Sequence, residues 1–163
     1  MIVIKNESDL VRMRASGRIA ARVRDEVAAS VAPGVTTEDL SNLAGRLIAG
    51  YGGESAFLGY RGYPGQICVS INDEVVHGIP GRRRIQAGDI VSIDVGVRYD
   101  GYIGDTALTV MVGVTDPDVI RLVETTREAL VRGIAQATAG GRLSDISHAV
   151  ESTAVAAGFS VVR

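Results

Sequence analysis

The sequence has one cysteine in 163 residues, so no disulfide can close within the chain and a reducing compartment is expected. It has no apolar stretch of about 18 residues that could cross a bilayer. Its opening, MIVIKNESDLVRMR, lacks the apolar run of a signal peptide. Large charge of either sign is also missing: 17 Lys and Arg stand against 19 Asp and Glu, a net charge of −2. That balance speaks against a specific nucleic-acid partner, and 46% apolar residues speak against disorder. The expectation is a soluble, cytoplasmic chain without a membrane partner. One domain fits this length and would bury roughly 70% of its unfolded surface. The arginines of the first predicted helix (Arg12, Arg14, Arg18, Arg22, Arg24) are read as a solvated face, with the ribosome as the alternative partner.

Leu10, Met13, Ala20, Val23, Val27 and Val31 recur at helical spacing, predicting an amphipathic helix over residues 8–31 that Pro33-Gly34 stops. The run Thr36-Thr37-Glu38-Asp39 reads as a capping signal for a second helix towards Gly50. A Gly/Tyr-rich stretch over residues 59–65 leads into a predicted strand at 67–71, a turn at Asn72-Asp73 and a short return strand at Val75-Val76. Residues 89–99 and 103–112 predict a stronger pair of strands. Asp116-Pro117 opens a third helix ended by Gly140-Gly141, and residues 144–157 form a fourth, closed by Gly158. A strand is expected again at residues 159–162.

A weak repeat underlies this order. Shifted by 106 residues, Gly34 falls on Gly140, Asp39-Leu40-Ser41 on Asp145-Ile146-Ser147, and Gly52 on Gly158. Each copy is a helix, a glycine break and a capped helix. The first copy continues into strands over residues 55–113; the second reaches its end where strands would begin. Chance likeness of two amphipathic helix pairs is the alternative.

The most informative stretch is DIVSIDVGVRYDGYIGDTALTVMV. Its first strand sends Val91, Ile93, Val95 and Val97 one way and Ser92, Asp94 and Gly96 the other. Asp100-Gly101 suits a two-residue type I′ turn, which sets Asp94 opposite Ala107 and Gly96 opposite Asp105. The two aspartates then share a face as diagonal neighbours, with β-carbons about 7 Å apart. Two carboxylates there repel unless a cation or shared proton lies between them. Their oxygens reach one divalent ion, or a pair about 3.5–4 Å apart. One more turn residue would place them on opposite faces, and a merely solvated sheet face is the competing reading.

The segments YPGQICVSINDEVVHGIP and GDIVSIDVGVRYDGYIGDTA, with the preceding GYRGY, resemble the type I methionine aminopeptidases over nearly the whole chain. The resemblance implies an α+β pita-bread fold with antiparallel hairpins packed on helices. Residues 1–163 would be a single incomplete domain: a first helix–helix–sheet half (1–113) and the two helices that begin the second (114–163). It implies metal-dependent removal of the N-terminal methionine from nascent proteins and peptides. Asp94 and Asp105 match the first two metal ligands, and His77 matches the histidine that hydrogen-bonds the substrate near the scissile amide. Tyr60, Tyr63 and Cys68, with His77, match the substrate-binding positions around the methionine side chain. The family site takes two divalent ions (Co, Mn, Fe or Zn), which oxygen-rich ligation suits.

The family's other ligands, a histidine in a GHGIG-like motif and two glutamates, fall beyond residue 163. His148, Glu124, Glu128 and Glu151 lie on predicted helices and match none of them. Weak or partial metal binding and little activity are therefore expected of this chain alone. A second chain completing the sheet is an expected partner besides methionyl peptides. The alternative to an enzyme is a non-catalytic half-domain acting as a binding or regulatory module.

Overall fold

A computed structural model describes residues 3–162. Helix α1 (Glu7–Ala29) starts at a reciprocal cap: the Asn6 side chain accepts from the Asp9 N–H, and the Asp9 carboxylate accepts from the Asn6 N–H. Its inward stripe is Ser16, Ala20, Val23 and Val27, all fully buried. Helix α2 (Thr37–Gly50) opens on Thr36, whose hydroxyl accepts from the Asp39 N–H, and buries Leu40, Ala44 and Ile48.

These helices cover one face of an antiparallel sheet. Strand β3 (Ile90–Tyr99) is its centre. Strand β4 (Tyr102–Met111) pairs along its whole length on one side. On the other side, β1 (Glu54–Ser55) pairs with residues 97–98 and β2 (Cys68–Ile71) with residues 91–94. Val91, Ile93, Val95 and Val97 of β3 point at the helices with Val69 and Ile71 of β2, forming the core. The Ser16 hydroxyl, fully buried, donates to the Val97 and Tyr102 carbonyls and pins α1 to the hairpin. The two backbones meet closely enough that a Cβ on Gly104 would stand 2.5 Å from the Ser16 carbonyl oxygen.

The chain divides into two compact units, Met1–Gly113 and Val114–Arg163. The second is a helical pair, α3 (Pro117–Gln136) and α4 (Leu143–Ala156). Proline stands at the start of α3, behind an Asp116 cap, as expected. The bounds of α4 are those of α2 displaced by 106 residues. Asp145 accepts from the Arg142 N–H (2.8 Å) as Asp39 does from the Thr36 N–H (3.0 Å). Gly34, Gly52, Gly140 and Gly158 all take positive φ, so the sequence repeat is also a repeat of backbone conformation.

Three expected features differ. Val75-Val76 is not a strand: both valines are 64% exposed, and the chain returns to β2 through one ladder bond, from the Val69 N–H to the Gly78 carbonyl. The Glu74 carboxylate takes the Ile71 N–H that a return strand would have used, so β3–β4 is the one full hairpin among the described residues. Helix α3 ends at Gln136, before the glycine pair, where Ala137 (ψ 62°) makes an inverse γ-turn closed by the Thr138 N–H on the Gln136 carbonyl. Residues 159–162 form no strand. Among the described residues no helix is long and apolar enough to cross a membrane.

Candidate metal and substrate site

The face of the sheet turned away from α1 and α2 carries the polar residues. Asp100 (φ 48°) and Gly101 (φ 78°) both take positive φ, as a type I′ turn requires, and the register that follows sets Asp94 against Ala107 and Gly96 against Asp105. The same parity brings Cys68 opposite Asp94 and Ser70 opposite Ser92. Ser92 and Thr109 share a hydrogen bond of 2.8 Å further along this face. The two acids are therefore diagonal neighbours, with Cys68 beside the inner one.

Their environments differ. Asp105 is exposed, whereas Asp94 is half-buried and its Oδ1 is buried without a hydrogen-bond partner among the described residues. Burial, with the Asp105 charge adding to it, pushes the Asp94 carboxyl up to about 6, while His77 draws it down. A buried acceptor without a donor beside a second carboxylate is what a cation would satisfy. The donors are hard oxygens, so the residues present fit a divalent ion. Among the described residues no third His, Cys, Asp or Glu joins them in a metal-sized group.

Around the pair stand the other expected residues. Cys68 is 5% exposed; burial pushes its thiol up, the Tyr63 phenol opposes this, and both aspartates add to the rise. The thiol is therefore neutral and packs as a soft apolar group. Tyr63 is half-buried and donates to the Gly78 (2.9 Å) and Ile67 (3.2 Å) carbonyls; burial above all pushes its phenol upward. His77 is exposed, with φ +59°. Tyr60 adjoins this group through its backbone, its N–H donating to the Phe57 carbonyl (2.9 Å) and its carbonyl accepting from the Tyr63 N–H (3.0 Å). It is 64% exposed at the start of a 3-10 turn (Tyr60–Gly62), with the Arg61 guanidinium 5.5 Å from its ring centre.

Two contributors were not foreseen. The Phe57 ring covers Gly96, where a Cβ would stand 2.5 Å from the ring, and so walls the site beside Asp94 and Asp105. Gly96 opposite Asp105 was the available signal, since glycine inside a strand marks a close approach. Ser70, 4% exposed, binds the Gly78 N–H at 3.0 Å; nothing in the sequence marks it. A separate cleft of about 560 Å³ between α3 and α4 includes Arg132, Asp145 and His148. Its Asp145 is engaged in the helix cap and Arg132 pairs with Glu128, so it gathers no set of metal donors.

Compared with known proteins, residues 11–163 match metallopeptidase family M24. Methionine aminopeptidase 1 of Bacillus subtilis is 45% identical over 163 residues, covering 100% of this chain and 66% of that protein. The crystal structure of methionine aminopeptidase from Rickettsia prowazekii is similar with a TM-score of 0.97 at 41% identity, covering 100% of this chain and 66% of that one. Prolidase from Pyrococcus furiosus has a TM-score of 0.84 at 19% identity, over 96% of this chain and 45% of that one, a likeness of fold alone. The chain thus spans just under two thirds of the length of the first two proteins.

Proposed function

Since the chain belongs to metallopeptidase family M24, we propose that its sheet face carries part of the site of a metal-dependent aminopeptidase that removes N-terminal methionine from peptides. Its helix–helix–sheet arrangement is the pita-bread fold of that family. Residues 1–113 are read as the first half of that fold, and α3 and α4 as the helices that begin the second. The reading rests on one observation: the buried, undonated oxygen of Asp94 lies diagonal to Asp105 on a single face.

Asp94 and Asp105 would hold divalent metal, two ions of the Mn, Fe, Co or Zn type in the complete site. Metal bound there supplies the Lewis acidity for amide hydrolysis. Asp94 must give up its proton first, and its raised carboxyl pKa sets the pH at which it can. His77, on the loop beside β2, donates to the substrate near the scissile amide and orients it. Cys68, the Tyr63 ring and the Phe57 ring offer a neutral, polarizable wall for the methionine thioether. Tyr60 contributes from the exposed turn. The likeness to bacterial methionine aminopeptidases, with the single cysteine of the chain, supports a cytoplasmic place of action.

Two carboxylates bind a divalent ion weakly, so the chain alone is expected to take up Mn2+ with low affinity and to turn over little Met-Ala peptide. The test is electron paramagnetic resonance titration with Mn2+ on wild type, Asp94→Asn and Asp105→Asn, alongside a peptide assay. Weak binding lost in both variants supports the reading. Binding unchanged by either substitution would sink the metal site. Turnover at the rate of a full-length relative would show that two carboxylates suffice.

A further inference from the structure

The backbone of His77 lies in the left-handed region, φ +59°, which is uncommon outside glycine even though histidine tolerates it better than most residues. Such a conformation persists where surrounding bonds over-determine it. Here the bonds converge on the next residue. The Gly78 N–H donates to Ser70 Oγ at 3.0 Å, and the Gly78 carbonyl accepts from the Val69 N–H at 3.0 Å and from the Tyr63 hydroxyl at 2.9 Å. No side chain fits at this point, since a Cβ on Gly78 would stand 2.3 Å from the Val69 carbonyl oxygen.

Ser70 is the unusual member of this set. It is 4% exposed, and it lies on the site face two residues along β2 from Cys68, which pairs with Asp94. An alanine would fill the same place in the sheet; what the hydroxyl adds is an acceptor for the Gly78 N–H, which would otherwise be left without one. Both polar groups of the Gly78 backbone are thereby tied to the strand that runs beside Asp94.

We propose that Ser70 is a positioning residue: together with the Tyr63 hydroxyl it clamps Gly78 and so holds His77 at the Asp94 end of the site face. The inference rests on the reading of His77 as the histidine that orients the substrate amide, for which placement is decisive. It agrees with the pull that His77 exerts on the Asp94 carboxyl.

The experiment uses the full chain labelled with carbon-13 at histidine Cε1. Only His77 and His148 contribute signals, and His148→Gln assigns them. The readout is the displacement of the His77 signal caused by Asp94→Asn at one neutral pH, without metal. We expect a clear displacement in wild type, reduced about threefold or more by Ser70→Ala as in a double-mutant cycle. Ser70→Thr, which keeps an Oγ, restores it, and Tyr63→Phe reduces it. Amide signals of β3 and β4 report that the sheet is intact. A displacement as large in Ser70→Ala as in wild type, or none in wild type, overturns the proposal. If Ser70→Ala fails to fold, Tyr63→Phe decides by the same rule. Mn2+ titrated in parallel separates the two readings: failure to broaden signals around Asp94 and Asp105 removes the metal reading, while the metal-free displacement still decides this one.

Discussion

At Asp94 the buried oxygen and the diagonal Asp105 charge act together against the ionised carboxyl whenever no cation lies between them. Asp94→Asn is therefore expected to raise the stability of the metal-free chain by about 1 kcal/mol, after allowance for solvent screening. Thermal melts in chelator should show this gain, and added Mn2+ should stabilise the wild type but not the variant. The pH dependence has a definite sign. Asp94 holds its proton more tightly folded than unfolded, so its unfavourable contribution is absent below about 4, grows as pH rises towards about 6, and is complete above that. Stabilisation by Mn2+ should run the other way, developing as pH rises through about 6. At this scale the sequence was informative where periodicity alone decides: the common face of Asp94 and Asp105 follows from a period of two and one tight turn. Gly96 signals that something packs closely on its strand but not that the partner is Phe57, and Ser70 carries no signal, because each contact is made through a loop that no local pattern encodes.

The β3–β4 hairpin depends on two consecutive positive-φ residues, and its second residue has a conformation that a branched side chain resists. Gly101→Val should destabilise the chain by about 1–3 kcal/mol and weaken metal uptake, because the register that aligns the acids is set at that turn. Chemical denaturation with and without Mn2+ separates the two effects. Where α1 crosses β4, the Gly104 contact is backbone against backbone and no rotamer change can relieve it. Gly104→Ala should lower stability by about 1–3 kcal/mol, read as a fall in denaturation midpoint at unchanged slope. Among the elements, α1, α2, α4, β3 and β4 were legible to within a residue or two, since each combines clear periodicity with a cap or turn signal. The Val75-Val76 segment was not, because β-branched residues suggest a strand while the bonds from Ile71 to Glu74 and from Gly78 to Ser70 hold a loop. Helix α3 was overextended because an Ala-Gln-Ala run carries no stop signal, whereas the γ-turn at Ala137 is a backbone event.

Across the whole molecule, carboxylates act on stability in opposite directions. The Thr36 hydroxyl holds Asp39 below its ordinary range, and the Tyr102 phenol does the same for Asp9. Their contributions are present above about 4 and are lost as pH falls through their lowered folded values. Asp94 acts oppositely between about 4 and 6, so these three groups together favour a stability maximum in the metal-free chain near pH 4, with stability declining towards about 6. Melting temperature measured against pH should peak there and move towards neutrality when Mn2+ is present; in Asp94→Asn the decline between about 4 and 6 should vanish while the loss at lower pH remains. Strand β3 accounts for more than the register. Its alternate residues are locked among the valines and isoleucines under α1 and α2, so the acids it carries on the reverse side have little freedom to drift. An arriving ion would find Asp94 already set at its station, with little ordering left to accompany capture. Discrimination among ions there would then follow from size and donor hardness rather than from any rearrangement of the chain.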